Sequence, residues 1–142
     1  MRFTENGIDK PVGKGLWETA GKVLLKRSAI DTMTCGSGTQ AIIEENNRPI
    51  IFGFRLKVKD GKITEIEHLI AREKEFGFTI GGPKPILETA NQDWEGILPR
   101  AERSSRLVMT AAAVDYFDMF SDDPVVSTPF ATPCDRWENG VR

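Results

Sequence analysis

The sequence predicts an α+β chain, with an antiparallel sheet in its first half and one long helix in its second. Three observations carry that expectation. Lys59-Asp60-Gly61-Lys62 lies between two β-rich segments, and Asp-Gly is a strong two-residue hairpin signal because Gly accepts positive φ. Asn46-Asn47-Arg48-Pro49 is a second turn that ends an earlier apolar run. Beyond Ser104 the apolar spacing changes to a helical period.

Taken in order, Leu16-Trp17-Glu18-Thr19-Ala20 between Gly15 and Gly21 reads as one or two helical turns. Lys22 to Thr34 reads as a long strand, Thr39 to Glu45 as a short one, and Pro49 to Arg72 as the hairpin. Turns this short leave no room for the crossovers a parallel sheet needs, so a meander of about four strands is expected. With Asp60-Gly61 as the loop, Val58 faces Ile63, Leu56 faces Glu65, Phe54 faces Glu67 and Phe52 faces Leu69. The other side then carries Lys57 with Thr64, Arg55 with Ile66, Gly53 with His68 and Ile51 with Ile70.

Lys74 to Asn91 holds Gly77, Gly81, Gly82, Pro83 and Pro85, a composition expected to form a connecting segment without helix or central strand. From Ser104 to Phe120, Leu107, Ala111, Val114 and Phe117 share one helical face, and Met109, Ala113, Tyr116 and Phe120 cover another. Asp115, Asp118 and Asp122 are the polar stripe, so this helix is expected between the sheet and a further layer. Pro124, Pro129 and Pro133 break regular structure until Asp135 to Val141, which reads as a strand. The layout is one unit over 1–142: a sheet-forming half at 1–73, a linker at 74–99, then helix and strand at 100–142.

Composition bounds the function. A chain of 142 residues, 39% hydrophobic and 28% charged, is of single-domain size and can bury roughly 68% of its unfolded surface. The 19 Lys+Arg and 21 Asp+Glu are interspersed, which speaks against a nucleic-acid partner. No apolar run approaches the roughly 18 residues of a membrane helix, and the first residues lack the layout of a secretory leader. Neither a membrane partner nor a cofactor is expected, and the compartment stays open. Cys35 and Cys134 form no CxxC pair and read as ordinary small residues rather than a disulfide or metal ligands.

No nucleotide loop, zinc-protease motif or nucleophile elbow is present, and a single histidine cannot build the usual His-rich metal site. Cys35-Gly36-Ser37-Gly38 reads as a turn between strands, not a phosphate cradle, since no helix follows it. The hairpin register supplies the catalytic candidate. It sets Glu65 and Glu67 on the face of Phe52, Phe54, Leu56 and Val58, where desolvation would raise a carboxyl toward proton-transfer range. Both glutamates standing in water near the turn is the plainer alternative. His68 falls on the opposite face and reads as structural, Trp17 as a core or pocket-wall residue, and Tyr116 as core.

The ends echo each other, Glu5-Asn6-Gly7 against Glu138-Asn139-Gly140, as one period of a duplicated protein would. The blocks Phe3-Thr4-Glu5-Asn6-Gly7, Gly13 to Trp17, Phe54 to Glu67, and Val114 through Gly140 resemble an uncharacterised group of fungal and bacterial proteins. That group is similar to the nuclear transport factor 2-like superfamily, which includes SnoaL-type polyketide cyclases and ketosteroid isomerases. The resemblance implies a curved antiparallel sheet wrapping helices, a cone with an apolar cavity at its wide end, and often a homodimer. The superfamily's usual order puts helices first, so here it implies a permuted cone or a slice through tandem cones. No motif carries the superfamily's catalytic residues onto this chain.

Two functions follow as expectations. The first is a pocket for a small apolar molecule, open to isomerase, cyclase or lyase chemistry, with Glu67 as acid/base and Trp17, Phe52, Phe54, Glu65, Tyr116 and Phe117 as ligand contacts. The second is a non-catalytic dimerisation or assembly module built on the apolar helix.

Overall fold

The computed structural model describes residues 1–75, 78, 81–121 and 128–142; Gly77, Asp122 and Pro124 of the sequence reading lie outside them. These residues form two compact units, 1–95 with 137–142, and 96–136.

The first unit is an open, curved six-stranded sheet with short helices, so the architecture is α+β. Its elements are β1 (Arg2–Glu5), β2 (Ile8–Asp9), α1 (Leu16–Thr19), β3 (Ala20–Asp31), β4 (Gly36–Glu45), β5 (Arg48–Lys59), β6 (Lys62–Ala71) and α2 (Pro83–Leu87). Strand order is β2-β1-β6-β5-β4-β3. The β3 to β6 meander is the one the turns predict. The expected wholly antiparallel sheet is not what forms, because β1 joins β6 in parallel and makes the sheet mixed.

That parallel pairing is extended by a side chain. Asn6 at φ 49° and Gly7 at φ 79° make the two-residue turn from β1 to β2. The Asn6 amide then brackets Ile70 of β6: Ile70 N donates to Oδ1 at 2.7 Å, and Nδ2 donates to the Ile70 carbonyl at 3.0 Å. Asn6 N also donates to the His68 carbonyl at 2.8 Å.

The hairpin loop is Asp60-Gly61, as expected, and Val58 opposes Ile63. Thereafter the register departs from the simple alternation by one residue. Lys57 opposes Glu65, Leu56 opposes Ile66, Arg55 opposes Glu67, Phe54 opposes His68 and Phe52 opposes Ile70. Thr64 is the additional residue of a β-bulge, and its hydroxyl donates to the Lys57 carbonyl at 3.2 Å. The energetic reason is plain. Without the bulge two carboxylates would lie among rings, at several kcal/mol each on the scale for buried unpaired charge, while the bulge forfeits about one ladder bond worth ~1 kcal/mol.

One sheet face holds the core of Ala41, Ile43, Ile50, Phe52 and Ile70, closed by Leu16 of α1. Ile42, which points to the opposite face, is fully buried, and α2 contacts β4 and β5. The segment 74–91 was expected to hold no helix; α2 forms there because Pro83 occupies its first turn, where a missing N–H costs nothing. Strand β4 begins at Gly36, earlier than Thr39, so Gly36, Ser37 and Gly38 are strand residues and the turn lies upstream of them. The expected C-terminal strand is instead a tight turn, with Glu138 and Val141 paired across Asn139 at φ 47° and Gly140 at φ 84°.

The second unit holds a 3-10 turn (Arg100–Glu102) and α3 (Arg106–Asp118). Ser105 caps α3 by accepting from Val108 N at 3.2 Å. α3 is expected to be covered on two faces; among the described residues none of its own is buried, and Leu107 is 80% and Phe117 72% exposed. Tyr116 meets Phe117, Phe120 and Phe130 edge to face, with centroids 5.4, 5.6 and 6.3 Å apart.

Candidate functional site: an aromatic hollow around His68

The bulge at Thr64 decides which side chains line the inner face of the hairpin. It brings His68 to the rings and turns Glu65 and Glu67 away. Phe3 and Phe52 both meet the imidazole edge to face at 4.8 Å, and Trp17 stacks on it at 5.8 Å with 24° between planes. Phe54 stands 6.5 Å away and stacks on Phe52 at 5.3 Å.

These rings border a hollow of about 320 Å³. Leu16 and Trp17 come from α1, Phe52, Phe54 and Leu56 from β5, and Ile66 and His68 from β6, together with Ala20, Ile43 and Ile63. A volume of this size falls at the small end of ligand pockets. Trp17, which borders the hollow, is 49% exposed.

His68 is the titratable group in this wall and is 7% exposed. Its Nδ1 is buried without a hydrogen-bond partner among the described residues. Burial holds the imidazole below its ordinary pKa, opposed in part by the Glu5 carboxylate, so the ring is neutral near pH 7.

Glu5 is the buried acid of the site. Its Oε2 accepts from Leu16 N at 2.9 Å, its Oε1 from Lys10 Nζ at 2.9 Å, and the Arg72 guanidinium lies 3.5 Å away. Burial works to raise its pKa, but the Leu16 N–H and the Lys10 and Arg72 cations outweigh it and hold the carboxyl below its usual range. Arg72 is fixed in turn by two bonds to Glu45, at 2.6 and 2.8 Å.

The expected catalytic placement is corrected by this geometry. Glu67 is on the outer face, its side chain 39% exposed and bonded to Arg55 Nε at 3.0 Å. Glu65 bonds Arg55 at 2.8 Å on the same face, and that hydrogen bond holds its carboxyl below the usual range instead of above it. Trp17, Phe52 and Phe54 do line the hollow. Tyr116 and Phe117 belong to the second unit and its own ring cluster. Cys35 and Cys134 are free thiols, and both are exposed rather than buried.

Sequence reasoning missed Glu5, Lys10, Arg72 and Glu45, and assigned His68 to the wrong face. One signal was available. Glu65 and Glu67 are spaced to match Lys57 and Arg55 only if β6 carries one extra residue, which also places Ile66, His68 and Ile70 together.

The family described as "Domain of unknown function (DUF8021)" matches residues 102–142, the segment that holds α3 and the second Glu-Asn-Gly turn. No curated protein and no solved structure gives a significant match.

Proposed function

We propose that the sheet unit binds a small, neutral, apolar molecule in the hollow under Trp17. The observation that carries this is a hollow of about 320 Å³, walled by rings and aliphatic side chains, with a half-exposed indole on its rim. A curved sheet carrying an apolar hollow is also what the likeness to the nuclear transport factor 2-like superfamily implies, and it supports a cone-type reading of the fold. Bound molecules with a charge are disfavoured, because the wall offers no counter-charge and desolvation would go uncompensated. Acid/base chemistry through Glu67 is not part of the proposal, since Arg55 occupies that carboxylate.

Titration with Nile red tests it. Saturable one-to-one binding is expected, weakened about tenfold in Trp17→Ala, near the upper end of what one aromatic contact is worth. Absence of saturable binding, or equal binding by the variant, overturns the proposal.

A second reading rests on a different observation, the apolar residues of α3 that are exposed among the described residues. We propose α3 as a self-association surface. Sedimentation should then show a dimer that Phe117→Glu converts to monomer, and a wild-type monomer at high concentration removes this reading.

A further inference from the structure

We infer that Glu5 is the positioning residue of the hollow: its carboxylate holds the start of α1 and so sets Trp17 across His68. The binding readout below rests on the small-molecule reading, whereas the placement of Trp17 is tested without it.

A four-residue helix has no stability of its own, so its place must be imposed from outside. The imposition is visible at its first residue. Leu16 N donates to Glu5 Oε2 at 2.9 Å, in a bond buried from water, while the Leu16 side chain is itself 1% exposed. Trp17 is the next residue along. The far end is tied separately, through Thr19 Oγ1 to Glu45 at 3.2 Å and Asn46 N to the Thr19 carbonyl at 3.1 Å.

Gly15 completes the fit. It stands at φ +68°, and a Cβ there would collide with Glu5 Oε2 and lie 3.1 Å from Lys10 Nζ. Only glycine lets the chain pass this close to the carboxylate. The carboxylate is fixed by groups from several elements: Lys10 after β2, Arg72 after β6, and Glu45 of β4 through Arg72, with His68 of β6 in its field. Protonating Glu5 would leave Lys10 and Arg72 facing a neutral acid and weaken the grip on Leu16 N.

The experiment follows the Leu16 amide and the Trp17 indole N–H by NMR, with Nile red affinity measured alongside. In wild type the Leu16 amide should move as acid protonates Glu5, and the Trp17 indole N–H should show a step with that same midpoint, beside the one it takes from the stacked His68 at higher pH; absence of the shared step would overturn the inference, and this measurement requires no variant to fold. Glu5→Gln and Gly15→Ala disturb the same contact from its two sides. Each should displace the Trp17 signal from the ring current of His68 and weaken Nile red binding about tenfold, while Asp9→Asn, an exposed control on β2, changes neither. Variants that lose stability yet keep the Trp17 signal and affinity within twofold of wild type would make Glu5 merely structural and sink the proposal. If wild type fails to bind Nile red, the small-molecule reading falls, and the Trp17 signals still decide this one.

Discussion

The two Glu-Asn-Gly turns share a sequence and a backbone, yet they hold different stations in the first unit. Asn6 and Gly7 have φ of 49° and 79°, and Asn139 and Gly140 have 47° and 84°. At the first turn Glu5 is buried under α1 and the Asn6 amide is bonded to both backbone groups of Ile70. At the second, Glu138 is exposed, and the Asn139 carbonyl accepts from Gly82 N at 2.9 Å. Local chemistry therefore sets the bend, while the flanking strand decides how deeply the glutamate is buried. A three-residue motif predicts the first and says nothing of the second.

The largest effect should come from Glu5. Glu5→Ala strips Lys10 and Arg72 of a buried partner and orphans Leu16 N, so chemical denaturation should show a loss of about 3 kcal/mol. Glu138→Ala, at an exposed site, should stay within about 0.5 kcal/mol. Equal losses at the two sites would mean that the turns are equivalent after all. Asn6→Ala comes next. It removes two part-buried hydrogen bonds and places alanine at positive φ, for a loss of about 2 kcal/mol in the same measurement.

Acid should sharpen the contrast further. His68 has a folded-state pKa below the usual value, so its contribution to stability is complete above about pH 6.5 and is lost as pH falls through that region toward the lowered value. Denaturation midpoints should decline on acidification from pH 7 in wild type, and that part of the slope should vanish in His68→Phe. Glu5, also lowered, contributes stability that is complete above the ordinary carboxylate range and disappears only in stronger acid. The smallest effect belongs to the outer face: Arg55→Ala should cost less than about 1 kcal/mol, because its ion pairs are half exposed.

What the sequence made legible was whatever depends on near neighbours. The Asp60-Gly61 loop, the β3 to β6 meander and the helix after Ser104 follow from turn chemistry and periodicity. The site needed longer-range facts. Alternation counted from the loop places Glu67 opposite Phe54, and a single bulge at Thr64 reverses that assignment for the rest of β6. The parallel docking of β1 joins residues more than sixty positions apart, as in the Phe3 and Ile66 pair, and a four-residue strand carries too few side chains to announce such a partner. Of the proposed ligand contacts, Trp17, Phe52 and Phe54 were readable because their rings had to lie on one side or the other of short, regular elements.

The extra threonine in β6 also has a genealogical consequence. A descendant that drops Thr64 alone would inherit a hairpin of ordinary length whose wet and dry surfaces had traded places downstream. Changes in length on this strand should therefore survive in lineages by twos, or only alongside a matching insertion elsewhere in β6.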